Sequence, residues 1–199
     1  MAFTAKDVQT LRERTGCGMM DCKKALTETD GDMEKAIEVL REKGLAAAAK
    51  KAGRIAAEGV VYAYVDEAKK IGVVIEVNSE TDFVAKNDSF IAFVDTCAKT
   101  IAEQNPATVE ALLDCKAAGS NETVADMLRE KILTIGENMK IRRFARYEGE
   151  VVTYIHGGGR IGVMVGFETD LADKAEFKDY AKDIAMQVAA SAPTYLDKA

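Results

Sequence analysis

The chain's single histidine, His156, is followed by three glycines and Arg160. Backbone amides of a glycine run together with an arginine side chain are groups that can cradle a phosphate. Phosphate loops of that kind follow a strand and open a helix, whereas this run lies between two segments rich in strand-forming residues. The sequence therefore favours a tight hairpin turn with an incidental histidine over a phosphate-binding site.

The cysteines are a second group that could do chemistry. They are Cys17, Cys22, Cys97 and Cys115. Only the first two are close in sequence, and no second pair of Cys or His follows at the spacing of a metal site. A disulfide scaffold is not expected at this length and composition. We therefore predict four buried or unreactive thiols and no metal site.

Two carboxylates, Glu80 and Asp82, lie two residues apart in the segment 78–88. A lone pair of acids on a loop is weak evidence for general acid–base catalysis. The sequence also lacks the motifs of zinc hydrolases and of serine or cysteine nucleophiles. We therefore predict binding surfaces rather than a catalytic pocket, with no catalytic residue and no cofactor.

Composition and charge narrow the class of protein further. The 199 residues are 48% apolar and 30% charged, which is typical of a soluble globular protein. No apolar stretch is long enough to span a membrane, and the N-terminus lacks a signal-peptide pattern, so we predict a cytoplasmic protein without membrane contact. The net charge of −6 disfavours direct binding of nucleic acid. Residues 1–54 carry 11 basic and 9 acidic residues, whereas the remainder carries 16 and 24, which indicates a separate front module.

Helix signals divide the front module into three short helices. Thr4 can cap the first, and Gly16 can end it in a left-handed conformation. The segment 18–29 predicts a second helix, and the third is expected to begin after Asp32 and to stop at Gly44. Residues 45–54 are then a helical or flexible connector with a basic centre, so the predicted N-terminal domain is 1–54.

Met19 and Met20 stand together after a glycine-rich turn. Neighbouring side chains on a helix point about 100° apart, so a thin core has little room for both. One interpretation buries one methionine and leaves the other partly exposed. The other interpretation makes the pair an adaptable apolar patch for a partner.

An internal repeat organises the rest of the chain. Residues from 58 onward match residues from 148 onward at a constant shift of 90, for example Tyr64 with Tyr154 and Gly72 with Gly162. Each copy predicts two strands and a helix: 59–65, 71–77 and 88–104, then 149–155, 161–167 and 173–190. A further helix and a strand are predicted between the copies. The sequence thus predicts an α+β fold, with two related hairpin-plus-helix subdomains at 55–147 and 148–199.

The same repeat bears on Phe83, which directly follows the acids Glu80 and Asp82 in a polar loop. Its counterpart in the second copy is Leu171, and its neighbour Val84 is also available to face the core. One hypothesis packs Phe83 onto the next helix as a hydrophobic staple. The other holds Phe83 out in solvent for a partner to receive.

Four long segments resemble the translation elongation factor Ts family of bacteria, the exchange factors of elongation factor Tu. They are LRERTGCGMMDCKKAL, EVNSETDFVAKND, IGENMKIRRFARYEG and HGGGRIGVMV, in the family's order and over nearly the whole chain. The resemblance implies a three-helix N-terminal domain like a ubiquitin-associated domain, followed by a two-part α+β core. It also implies an exchange factor that acts by protein–protein contact and is not an enzyme.

The resemblance assigns roles to particular residues. Those of the T-D-F-V segment are Thr81, Asp82, Phe83 and Val84. They would dislodge Mg²⁺ from the nucleotide site of elongation factor Tu, with Phe83 as the wedge, so that GDP leaves and GTP rebinds. Those of the front module are Leu11, Arg12, Met19 and Met20, which would grip a helix of the same domain of Tu. His156 and Gly157 would face another domain of Tu.

Many members of the family continue past the equivalent of Ala199 with a helical hairpin used in dimerisation. The resemblance therefore predicts an incomplete second subdomain here and a homodimer only in the longer form. Two other classes of protein stay open on the residues alone. A plain binding module would leave Phe83 dispensable, and an enzyme would centre on His156 and the glycine run.

Overall fold

The structure is a computed structural model that describes residues 3–195. Within that range lie eight helices and two antiparallel sheets. The helices are α1 (Ala5–Thr15), α2 (Met19–Glu28), α3 (Met33–Lys51), α4 (Asp82–Ala85), α5 (Asp88–Gln104), α6 (Val109–Asp114), α7 (Val124–Ile135) and α8 (Ala175–Ser191). The strands are β1 (Glu58–Asp66), β2 (Ile71–Ser79), β3 (Met139–Glu148), β4 (Glu150–His156) and β5 (Ile161–Phe167). The predicted α+β class is confirmed.

The three predicted front helices are present, and their caps follow the sequence. Thr4 and Asp7 form a capping box at the start of α1, and Gly16 ends that helix at a φ of 65°. Asp32 caps α3 through its side chain, which accepts a hydrogen bond from the backbone of Lys35. These helices enclose a small core of Val8, Leu11, Cys17, Cys22, Ala25, Leu26, Ala36 and Leu40.

The prediction that α3 stops at Gly44 is wrong. Four alanines follow within the next five residues, and alanine is the strongest helix former, so the helix continues to Lys51. Tertiary packing supports this extension. A Cβ placed on Gly44 would lie 3.7 Å from the carbonyl oxygen of Arg129 in α7, and Lys51 Nζ donates to the carbonyl of Ile132 at 3.1 Å. Much of the predicted connector is therefore a helix that packs along α7.

The three-stranded sheet has the order β1-β2-β3, and every neighbouring pair is antiparallel. The predicted strand between the two copies of the repeat is β3, which pairs with β2. Helix α5 packs on β1 and β2. Its predicted inward face is confirmed, since Phe90, Val94, Cys97, Ala98 and Ile101 are buried and Ile91 is partly buried.

The second copy repeats the hairpin in the same register. Tyr64 lies opposite Val73 in the first hairpin, and Tyr154 lies opposite Val163 in the second. Helix α8 covers β4 and β5. Of the residues that face the core from α8, Ala181 and Ala185 are fully buried, whereas the predicted Phe177, Ile184 and Val188 are only partly buried.

The two hairpins meet through equivalent positions. A Cβ on Gly72 would lie 2.5 Å from Cγ1 of Val151, and a Cβ on Gly162 would collide with Cγ1 of Val61. At the shift of 90, Gly72 corresponds to Gly162, and Val61 corresponds to Val151. The hairpins therefore approach each other by reciprocal valine-on-glycine contacts, related by an approximate two-fold axis.

Two short helices, α4 and α6, were not predicted. They occupy four and six residues, which is too short for a periodic pattern to appear in the sequence. In residues 3–195, none of the helices has the length and apolar character needed to cross a bilayer.

Candidate partner-binding surface around Phe83

Helix α4 exposes Phe83 and buries Val84. The side chain of Phe83 is 81% exposed, whereas Val84 is 6% exposed and belongs to the main core. The staple hypothesis is therefore wrong, because Val84 supplies the packing contact and Phe83 points into solvent.

Glu137, in the loop between α7 and β3, accepts hydrogen bonds from the turn that precedes Phe83. One carboxylate oxygen, Oε2, accepts hydrogen bonds from the backbone amides of Glu80 at 3.1 Å and Thr81 at 3.0 Å. The other oxygen, Oε1, accepts from the Thr81 hydroxyl at 2.7 Å. A single carboxylate thus fixes two successive peptide units and one side chain immediately before α4.

Glu80 also contacts the loop between α7 and β3, in this case through its own side chain. The Glu80 carboxylate accepts from the backbone amide of Asn138 at 2.6 Å and pairs with Arg54 at 3.4 Å. The hydrogen bond from Asn138 and the charge of Arg54 lower the pKa of Glu80. The Asn138 side chain in turn donates to the carbonyl of Arg54 at 2.8 Å. These bonds join the connector, the turn before α4 and the loop before β3.

Asp82 has a different partner from Glu80. Its carboxylate pairs with Lys86 at 3.1 Å on the exposed side of the turn. The carboxylates of Glu80 and Asp82 are therefore engaged by separate groups.

The chain after Phe83 is also held by hydrogen bonds. The backbone amides of Lys86 and Asn87 donate to the carbonyls of Phe83 at 3.2 Å and Val84 at 2.9 Å. The Asn87 side chain then caps α5, accepting from the amides of Ser89 and Phe90. Phe83 therefore stands on a short helical turn with defined attachments on both sides.

The front-module candidates differ in accessibility. Met19 is 44% exposed and Met20 is 61% exposed, so the interpretation that buries one of them is wrong. Both begin α2, whose inward face is formed instead by Cys22, Ala25 and Leu26. Arg12 is exposed as well. Leu11 is completely buried in the front-module core, so the expectation that its side chain touches a partner needs correction.

His156 ends β4, and the three glycines after it form the hairpin turn. All three have positive φ values, of 62°, 67° and 92°, and β5 follows them rather than a helix. Gly159 is buried against Val60, and its carbonyl accepts from the amide of Val61 at 2.7 Å. His156 and Gly157 are exposed, and Nδ1 of His156 lies 2.9 Å from the Tyr154 hydroxyl. The prediction of a tight hairpin turn is confirmed.

The thiols are free, as predicted. Cys17, Cys22 and Cys97 are buried, and Cys115 is partly buried. Burial raises the pKa of the Cys97 thiol to about 12 and also raises the pKa of Cys17 and of Cys22. In the part of the chain that the structure describes, no group of three His, Cys, Asp or Glu residues is arranged to hold a metal ion.

The chain is similar in sequence to known proteins of one family. The family model described as elongation factor TS matches residues 80–199. Proteins named elongation factor Ts from Clostridium perfringens (strain SM101) and Clostridium botulinum (strain Eklund 17B) are 57% and 55% identical to the chain, over 99% and 98% of its length. The chain spans 65% of the length of each of these relatives.

The fold is thus a duplicated hairpin core behind a three-helix front module, with Phe83 exposed on the turn that follows β2. The chain belongs to the elongation factor Ts family.

Glu137 was not among the predicted site residues. This residue lies 56 positions from Thr81, and no periodicity or spacing connects the two. The sequence shows only that an acid follows Gly136, the glycine that ends α7. This pattern does not identify the residues that are hydrogen-bonded to the acid.

Proposed function

We propose that the protein is a guanine-nucleotide exchange factor for elongation factor Tu, which acts by contact and makes no covalent bond. The observation that carries this proposal is the 81% exposure of Phe83 on a turn fixed at both ends. That turn is the T-D-F-V segment whose counterpart in the family displaces Mg²⁺, and the chain belongs to the family. Phe83 would enter the nucleotide-binding domain of Tu as a buried aromatic anchor.

Loss of Mg²⁺ explains how such a wedge releases a nucleotide. The ion bridges phosphate oxygens and protein oxygens, so its displacement removes a large part of the affinity for GDP. In this proposal Phe83 inserts, while Asp82 and Thr81 support the turn or contact Tu beside it. Val84 is 6% exposed, so its part is to anchor the turn in the core. GTP then rebinds and expels the factor.

The front module is proposed to be like a ubiquitin-associated domain and to hold a helix of the same domain of Tu. Met19, Met20 and Arg12 are exposed and available for this contact, and Lys23 and Lys24 line a shallow groove beside Met20. An amphipathic helix with acidic residues at its edges would complement such a surface. Leu11 takes part only indirectly, by holding α1 in the module core.

Contacts between the front module and α7 favour a fixed distance between the two surfaces. Besides the Lys51–Ile132 and Gly44–Arg129 contacts, Leu133 of α7 packs against the front-module core. Arg41 also pairs at 2.9 Å with Glu122, which lies just before α7. We keep 1–54, 55–147 and 148–199 as the proposed domains, with α7 as the element that joins the first to the second. His156 and Gly157 would face another domain of Tu from the far hairpin.

The remaining proposals follow from family membership. The protein would act in the cytoplasm on elongation factor Tu, without direct contact to nucleic acid. A homodimer is proposed for the full-length form, through a C-terminal helical hairpin of the kind found in many members of the family.

Binding affinity with and without nucleotide tests the proposed function. If the factor weakens GDP binding to Tu, then GDP must weaken binding of the factor by the same ratio, because coupling between two ligands is reciprocal. We expect isothermal titration calorimetry to show a dissociation constant for nucleotide-free Tu at least about 100-fold below that for Tu with GDP and Mg²⁺, near the upper end of usual coupling energies. Equal affinities would contradict an exchange factor and favour a plain binding module.

A further inference from the structure

We propose that Glu137 is a positioning residue for nucleotide exchange: its carboxylate holds the turn that presents Phe83. The inference rests on the proposed function for its effect on exchange, and on the hydrogen bonds of Glu137 for its effect on the turn. Glu137 is not a catalytic residue, because it acts through Phe83.

The hydrogen bonds of Glu137 converge on the two residues that lead into α4. Its carboxylate accepts from the amides of Glu80 and Thr81 and from the Thr81 hydroxyl, at 2.7 to 3.1 Å. Hydrogen bonds to an ionised acceptor are roughly twice as strong as those between neutral groups. Thr81 is also the N-cap of α4, and its side chain makes no capping bond there, because the hydroxyl is turned toward Glu137. Glu137, which lies outside α4, thus sets the direction in which this helix leaves β2.

Other contacts keep the surroundings folded without Glu137. Val84 remains in the core, Asn87 caps α5, and the amide of Asn138 still donates to Glu80. Glu137 itself is partly exposed and lies outside the hydrophobic cores. Its loss should therefore free the amides of Glu80 and Thr81 and broaden the orientations of Phe83, while the sheet and α5 stay in place.

This arrangement predicts which kinetic quantity changes. The front module would still bind Tu, so the concentration of factor that gives half-maximal release should change little. Within the complex, a turn that only sometimes holds Phe83 in the required orientation lowers the maximal rate in proportion to that fraction.

The test measures release of fluorescent GDP from Tu over a range of factor concentrations, with Glu137→Ala, Glu137→Gln and a control, Glu103→Ala. Glu103 is an exposed acid on α5, and its replacement removes the same charge far from the hydrogen bonds of Glu137. We expect Glu137→Ala to lower the maximal rate about tenfold, with the half-maximal concentration within about twofold, since it loses several charge-assisted hydrogen bonds. Glu137→Gln keeps one carbonyl oxygen as an acceptor and should lie between Glu137→Ala and the parent. The control should match the parent.

A double-mutant cycle separates action through Phe83 from an independent contact. If Glu137 only positions Phe83, then Glu137→Ala has no further effect on exchange in a Phe83→Ala background. An additive effect of the two substitutions, or a rise in half-maximal concentration at an unchanged maximal rate, would overturn the proposal.

Amide hydrogen exchange of the free protein provides a readout that does not depend on Tu. We expect Glu80 and Thr81 to exchange faster in Glu137→Ala, while the amides of β2 and α5 keep the protection of the parent. Unchanged exchange at both residues would overturn the proposal. If the parent fails to accelerate GDP release, the proposed function fails, and hydrogen exchange alone then decides whether Glu137 holds the turn.

Discussion

Phe83 and Val84 are neighbours on one helical turn, and their side chains have opposite environments. Consecutive residues on a helix point about 100° apart, so burial of Val84 directs Phe83 away from the core. A phenylalanine left in water forgoes about 2 kcal/mol of burial energy. An exposed Phe83 therefore adds little to folding stability, which agrees with the proposal that it contacts a partner.

This contrast gives a stability prediction at the residue scale. Phe83→Ala should leave the free energy of unfolding within about 0.5 kcal/mol of the parent, as surface substitutions usually do. Val84→Ala removes two buried methyl groups and should cost about 2 kcal/mol. Urea denaturation monitored by circular dichroism measures both. An equal decrease in the free energy of unfolding for the two variants would place Phe83 in the core and contradict the structure.

Glu130 gives a second residue-scale prediction, this time of pH dependence. Its carboxylate lies against Gly16, where an added Cβ would be 2.6 Å from Oε1. Burial raises the pKa of Glu130, partly opposed by the charge of Lys131 and reinforced by that of Glu122. An acid with a raised pKa in the folded state stabilises the fold fully only below its ordinary pKa, and that stability is lost as pH rises through the raised value.

The neutral substitution Glu130→Gln should therefore stabilise the protein at pH 7 and not at acid pH. We expect a rise in Tm of about 2 °C at pH 7, and a difference near zero below about pH 4, where both side chains are neutral. Differential scanning calorimetry at the two pH values measures this. A Tm difference that is the same at both pH values would show that ionisation of Glu130 is not the cause.

At the scale of elements, the duplicated hairpins pack together at two glycines, whose lack of a side chain leaves room for two valines. Gly72 faces Val151, and Gly162 faces Val61. The contact requires close approach on both sides of the approximate two-fold axis. A side chain at either glycine would push the hairpins apart and disturb the link between the Phe83 turn and the His156 hairpin.

We therefore expect Gly72→Ala and Gly162→Ala each to destabilise the fold by about 1–3 kcal/mol, as overpacking in a core does. Gly166→Ala is the matched control. Like Gly162 it lies on β5, but an added Cβ there would meet nothing closer than 3.8 Å. Urea denaturation compares the three variants. If Gly166→Ala were as destabilising as the other two, then strand conformation rather than hairpin packing would explain the lower free energies of unfolding.

At the scale of the whole molecule, local signals in the sequence predicted the fold well. The caps Thr4 and Asp32 and the inward face of α5 depend on neighbouring residues and appear where expected. The repeat predicted two equivalent hairpins because duplicated segments keep the same alternation of side chains, and the structure gives both the same register.

Features decided by distant contacts were not predictable in the same way. Packing against α7 supports the continuation of α3 past Gly44, and Leu11 is buried because three helices close around it. The hydrogen bonds that Glu137 accepts from the amides of Glu80 and Thr81 join residues 57 and 56 positions apart. The repeat left Phe83 open between core and surface, and only the position of Val84 in the folded chain decided between them.

Phe83 is proposed to drive nucleotide release, and stopped-flow release of fluorescent GDP from elongation factor Tu measures that effect. The parent should accelerate release. Phe83→Ala, shown by its Tm to be folded, should be about 30-fold slower at saturation, the factor that corresponds to the loss of ~2 kcal/mol at an interface hot spot. Equal acceleration by the two proteins would show that Phe83 does not drive release.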